Sequence, residues 1–432
     1  MRRLLSPIAL LALLLSTVLV PAARAENWPQ WRGPSGDSVS REKEIPIAWG
    51  EKRSLVWKTE LPAWGNSTPA IWDNAIFLTS HVEDKLLLLK LDKQTGKIEW
   101  TRTVGTGTTK IENKDNKAKF HQLHNLASPS PVTDGRTVVV HFGSGDLAAY
   151  DFAGEMLWKR NLQDDFGPYT IWWGHANSPV IYEDLVISVC MQDSLAKAGE
   201  PPQAKSYLVA HDLATGKQRW FTERQTDALA EQCDSYTTPY LWTRDGRTEV
   251  VIMGGNQLDA YDPTTGKQLW YLPELVGGRT VTGPTAGSEL IYVTQGMRGP
   301  LQAIRPNGTG KLSRDAVVWR DTQGTPDTCC PVLWGDLLFT VSDDGIARCF
   351  DALTGQLHWK KRLPGDYKAS PLAIDGRIYF LNTKGVGTVI SASPRFDKLT
   401  ENQLDDQTLA SPAVAGGKLF IRGHKALYCF GN

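Results

Sequence analysis

The feature that most limits what this chain can fold into is a repeat. It is cleanest at residues 329–360, CCPVLWGDLLFTVSDDGIARCFDALTGQLHWK. An apolar run follows Pro331, Gly335-Asp336 makes a turn, and residues 337–341 alternate. Asp343-Asp344-Gly345 makes a second turn, residues 346–350 alternate again, and Asp351-Ala-Leu-Thr-Gly355 leads to Trp359. Period-two alternation bounded by turn residues reads as short strands with two different faces. The Asp-x-x-Thr-Gly turn needs its Gly because one residue must adopt positive φ. The same ending recurs at Asp92…Thr95-Gly96…Trp100, Asp212…Thr215-Gly216…Trp220 and Asp262…Thr265-Gly266…Trp270.

Each unit opens with a small residue before Pro. The openings are Thr68-Pro69, Ser128-Pro129, Ser178-Pro179, Thr238-Pro239, Gly283-Pro284, Cys330-Pro331, Ser370-Pro371 and Ser411-Pro412. Units of this period with four short strands each predict an all-β, eight-bladed β-propeller of four-stranded antiparallel blades. Endings fall at Trp100, Trp158, Trp220, Trp270, Trp319 and Trp359, a residue large and flat enough to wedge between blades. In the seventh unit residues 393–399 replace the turn and its Trp. The eighth stops at Tyr428-Cys-Phe430 after three strands, and the orphan run 54–59 supplies its missing outer strand. The N-terminal strand thus closes the ring and removes open sheet edges. Cys349 and Cys429 occupy the position of Ala260 and fill small buried sites; Cys190 ends an apolar strand and belongs to the core.

Before the propeller (residues 51–432) lie two other segments. Arg2-Arg3, the apolar run 8–20 and Ala23-Arg24-Ala25 have the form of a secretory signal peptide over residues 1–25. It predicts a soluble, exported product, periplasmic or extracellular, with no membrane anchor. Residues 26–50 form an arm with Trp28, Trp31, Pro29 and Pro34, read as a segment pinned to the body's surface without strands of its own. Lys plus Arg equals Asp plus Glu at 47 each, which gives no basic footprint for nucleic acid. The charged run 110–119, the insertion 193–205 and residues 224–232 are expected on one face or its rim, where loops carry function.

The small-residue–Pro openings and the Ala-Tyr-Asp-x-x-Thr-Gly-x-x-x-Trp endings, best seen at residues 260–270, resemble the bacterial pyrroloquinoline-quinone (PQQ)-like propeller repeats. That family includes the outer-membrane assembly factor BamB and the quinoprotein dehydrogenases. The resemblance covers residues 54–430 and implies the propeller fold. The arm and the ending 411–430 are most similar to an exported bacterial subgroup. Function is less constrained, because one fold hosts unrelated activities.

On this reading the residues before each opening Pro gather at one mouth of the central channel. They supply the candidate funnel or ligand residues His121, His124, Asn125, Trp172, Trp173, His175, Asn177, Tyr236, Arg279, Asp327, Cys329, Cys330 and Lys368. Adjacent cysteines lie about 3.8 Å apart at Cα, below the usual disulfide range, so a Cys329-Cys330 bond needs a strained ring. The alternatives are free thiols, or separate pairing with Cys233 as a candidate partner. Quinoprotein alcohol dehydrogenases carry a vicinal disulfide at a similar place, which implies PQQ with Ca²⁺ and alcohol or sugar oxidation. The chain has no acidic constellation matching that family's metal-and-base pattern and no Cys-x-x-Cys-His motif. No catalytic, metal or cofactor residue is therefore assigned. The expectation is a monomeric, non-enzymatic binding or scaffold protein that takes a protein or peptide through its funnel face or loops. His121-x-x-His124 is read as rim histidines rather than a metal pair, and Trp172-Trp173 as packing that could stack a planar ligand.

Overall fold

The computed structural model describes residues 26–107, 121–192, 204–296 and 299–432. The expected leader, the charged run 110–119 and most of the insertion 193–205 lie outside them. The described residues form eight antiparallel sheets arranged as the blades of a propeller. Blade 6 shows why the repeat folds this way. Its strands Val332–Trp334, Leu337–Val341, Ile346–Asp351 and Leu357–Arg362 follow the alternating runs. The middle strands are buried on both faces by neighbouring blades, and on the outer strand Trp359 alone is buried.

The ring closes as expected. Leu55–Glu60 pairs antiparallel with Ala426–Phe430 and completes the eighth blade, with Leu55 opposite Phe430 and Trp57 opposite Cys429. Trp57 thus occupies the position of Trp359 opposite Cys349 and Trp270 opposite Ala260. In blade 7 the outer strand Lys398–Gln403 survives, and Thr400 opposite Val389 stands where the Trp is lost.

The Trp endings dock each blade into the next. Trp57 Nε1 donates to the Lys93 carbonyl, Trp158 to Leu213, Trp220 to Pro263 and Trp319 to Ala352, at 2.8–3.0 Å. Each acceptor is the residue after the turn Asp of the following blade. Trp270 donates instead to Glu249 of its own blade, whose outer edge carries an extra strand, Gly310–Lys311. No helix among the described residues is long and apolar enough to cross a membrane.

Two expectations need correction. The opening of blade 2 is Ser130-Pro131, two residues later than Ser128-Pro129, because the innermost strand there is Val132–Thr133. The run Ser-Pro-Ser-Pro offers two equivalent readings, and strand pairing selects the second. The arm also does not lie on the outer surface. Trp28 bridges Ile71, the Thr133 N–H donates to the Pro29 carbonyl, and Val39–Ser40 pairs parallel with the innermost strand of blade 7. Arg32 is buried and donates to the carbonyls of Pro284 and Pro331 in blades 5 and 6. These partners lie at or just past the opening prolines, so the arm spans the channel beneath the openings.

Candidate functional site

The small residues before each Pro build a belt around the channel. The Thr68 N–H donates to Ser130 Oγ, Ser130 N–H to Ser178 Oγ, and Ser178 N–H to Thr238 Oγ1, at 2.9–3.1 Å. On the other arc Gly283 N–H donates to Cys330 Sγ, Cys330 N–H to Ser370 Oγ, and Ser370 N–H to Ser411 Oγ, at 3.0–3.1 Å. Thr68 Oγ1 closes the ring onto the Ser411 carbonyl at 3.2 Å. A hydroxyl suits this place because it accepts the preceding blade's amide while remaining small. The break falls after Thr238, where the next opening residue is Gly283 and has no side chain. The ring of Trp31 lies 3.6 Å from where a Cβ on Gly283 would stand.

Above the belt lies a funnel of about 250 Å³. Trp31 lines it from the arm. Ser130, Ser178, Thr238, Ser370 and Ser411 line it from the belt, and Leu123, Ala176, Val281 and Leu409 from the wall. Six of the expected site residues also line it: His121, His124, Trp173, Tyr236, Arg279 and Lys368. The cations are paired: Arg279 with Asp327 at 3.0 Å, and Lys368 with Asp343 at 2.5 Å. Trp173 Nε1 donates to Glu231 and its backbone N–H to the Tyr236 hydroxyl, so the indole is fixed at the rim. His121 meets the Trp173 ring edge-on at 5.7 Å. Burial, then the nearby Lys368 and Arg279, pushes the His121 pKa down.

The other expected residues have different tasks. His175 is fully buried behind the wall, bonded to the Val189 carbonyl at 3.0 Å and stacked on Tyr169. Asn177 is buried and donates to the Ser235 and Thr237 carbonyls. Asn125 braces its loop to the Trp64 carbonyl at 2.8 Å. The backbone of Trp172 donates to Asp234, and Asp327 orients Arg279. Among the described residues these four side chains and Trp172 do not line the funnel. They precede an opening Pro as expected, but the chain turns there and only alternate side chains point to the axis. Trp31 was missed. Its signal was two Trp and two Pro within an arm lacking strand alternation.

Cys329 and Cys330 are buried free thiols, as are the buried Cys190, Cys349 and Cys429, while Cys233 is half-buried. The strained ring is therefore not formed, nor a bond to Cys233. Cys330 Sγ occupies the belt position that hydroxyls hold in six of the other seven blades. Burial pushes the Cys329 thiol pKa well up, which disfavours the reactive thiolate.

The fold and its funnel define an eight-bladed propeller with an axial pocket. The chain belongs to the PQQ-like propeller family: the model described as outer membrane protein assembly factor BamB matches residues 39–199, 188–327 and 312–395. No curated protein matches it by sequence. Among solved structures, BamB from Moraxella catarrhalis is similar at a TM-score of 0.58 and 14% identity, covering 87% of this chain and 99% of that one. The quinohemoprotein alcohol dehydrogenase from Comamonas testosteroni reaches a TM-score of 0.68 at 14% identity, covering 96% and 82%. A europium-containing methanol dehydrogenase reaches 0.68 at 11%, covering 94% and 98%. At these identities the likeness defines the fold.

The dehydrogenase neighbours raise PQQ and a cation as groups to test. Ca²⁺ takes six to eight oxygen ligands, several of them carboxylates. Among the described residues no group of three or more His, Cys, Asp or Glu is placed to hold a metal ion. The two carboxylates nearest the funnel's cations, Asp327 and Asp343, are engaged by them. The described residues do not fit that metal site.

Proposed function

We propose that this protein is a non-enzymatic binding propeller of the cell envelope, which holds a ligand or partner segment in the funnel and at its rim. The observation that carries this reading is the state of the wall. Arg279 and Lys368 are each tied to one carboxylate, and burial holds His124 at about 3, so the wall offers shape and hydrogen bonds. A catalytic site instead sets acid and base groups near the working pH. The leader-like residues 1–25 and the BamB description of the family support export and an envelope role.

Filling the funnel tests the reading. The substitution Ala176→Trp narrows the pocket without touching an ion pair. A ligand found by thermal-shift screening should stabilise the parent protein and not this variant. Titration with PQQ and Ca²⁺ should give neither saturable binding nor dye-linked alcohol or sugar oxidation. Turnover in that assay would establish the oxidoreductase reading in its place.

A further inference from the structure

The belt hydroxyls have a property that ring building alone does not use. Ser130, Ser178, Thr238, Ser370 and Ser411 each accept one backbone N–H. None of them donates its own proton to any acceptor among the described residues. All five are more than nine-tenths buried, at 2%, 5%, 8%, 3% and 8% relative exposure, and all five line the funnel. A hydroxyl carries one donor, and a buried donor without an acceptor is costly. Five such donors around one axis make a floor that lacks an acceptor-rich group.

Resting on the binding reading above, we propose that the funnel floor is the receptor for the carboxylate of a small organic monoanion whose apolar body packs against Trp31, Trp173, Leu123, Val281 and Leu409. Two observations select this class. The donors are neutral hydroxyls, and among the described residues the wall's two cations are matched by two carboxylates, which leaves no surplus charge there for a dianion such as a phosphate monoester. The volume of about 250 Å³ exceeds an inorganic ion and suits a body of one ring or a short branched chain. Hydroxyl donors to a charged acceptor are the stronger class of hydrogen bond.

The belt supplies its own control. Cys330 shows that a thiol can accept the neighbouring N–H and hold the ring together. The variants Ser178→Cys and Ser370→Cys should therefore keep the belt bond while replacing a good donor with a poor one. Benzoate, benzyl alcohol and phenylphosphonate are titrated into the full mature protein, read by tryptophan fluorescence from Trp31 and Trp173. Benzoate should bind saturably, and the other two at least about tenfold more weakly, a difference of about 1.4 kcal/mol. Either Cys variant should weaken benzoate about tenfold or more with an unchanged melting profile. Equal affinity for benzyl alcohol and benzoate overturns the proposal, as does undiminished benzoate affinity in both variants. Absence of benzoate binding up to about 10 mM also overturns it. A different ligand that Ala176→Trp still excludes would then leave the binding reading standing.

Discussion

The ring of Trp57 lies across Gly96, so close that a Cβ there would stand 2.5 Å from it, while Trp57 Nε1 donates to the Lys93 carbonyl of the same turn at 3.0 Å. The relationship repeats for Trp158 on Gly216, Trp220 on Gly266 and Trp319 on Gly355, with approaches of 2.5–2.6 Å. The turn Gly therefore serves two needs, its own positive φ and the neighbour's indole.

This separates the two costs of substitution. Gly96→Ala and Gly376→Ala both place Ala at a φ near 70°, at 73° and 72°, but Gly376 has nothing within 4 Å. Gly376→Ala should cost about 1 kcal/mol from backbone strain alone. Gly96→Ala should cost about 2–4 kcal/mol, because the indole must also move. Denaturant melts of the two variants give the comparison. Equal costs would mean that Trp57 does not seat on the turn.

Removal of residues 51–60 takes away the outer strand of blade 8 and Trp57 with it. The truncated protein should melt at least about 10 °C lower, with a broadened transition. An unchanged melting temperature would show that the ring closes in some other way.

The belt assigns Cys330 the task of a hydroxyl. Cys330→Ser should change stability by less than about 1 kcal/mol. Cys330→Val, which leaves the Gly283 N–H without its acceptor, should cost about 1–3 kcal/mol. Alkylation of the unfolded, unreduced protein followed by mass spectrometry should label both Cys329 and Cys330. A mass two hydrogens short at this dipeptide contradicts the free-thiol belt.

Three buried histidines set an acid limit. Burial holds His175 and His211 at about 4 and His141 well below its ordinary value. In the unfolded chain each takes its proton near pH 6.5. Between those values the unfolded state binds more protons, so stability falls as pH drops from 6.5 towards 4 and is fully present above 6.5. The loss should amount to a few kcal/mol in all. Thermal melts at pH 7 and 4.5 check this; equal melting temperatures would mean that these rings are not held neutral.

The blade count and the closing strand were legible because local patterns carry them: alternation, turn Gly and the recurrent Trp. Six funnel-lining side chains were legible too, among them Trp173, Tyr236, Arg279 and Lys368, which stand just before an opening Pro. What was not legible depends on direction and on distance along the chain. Whether His175 or Ala176 faces the axis turns on one residue of register. The reason for Cys330 appears only when Gly283, 47 positions away, is seen to donate to it. Trp31 carries no repeat signature, so nothing local tied it to the channel.

The closure of the ring also orders events in time. Leu55 meets Phe430, and Trp49 meets Asn402 across 353 positions, so the segment made first finds its partners last. Pairings of such sequence separation form slowly. Until the final blade is delivered the chain is an open arc, with the strand Leu55–Glu60 unpaired and the belt incomplete. A nascent or threaded chain therefore cannot present a finished pocket, and binding competence arrives in one step with the completed circle.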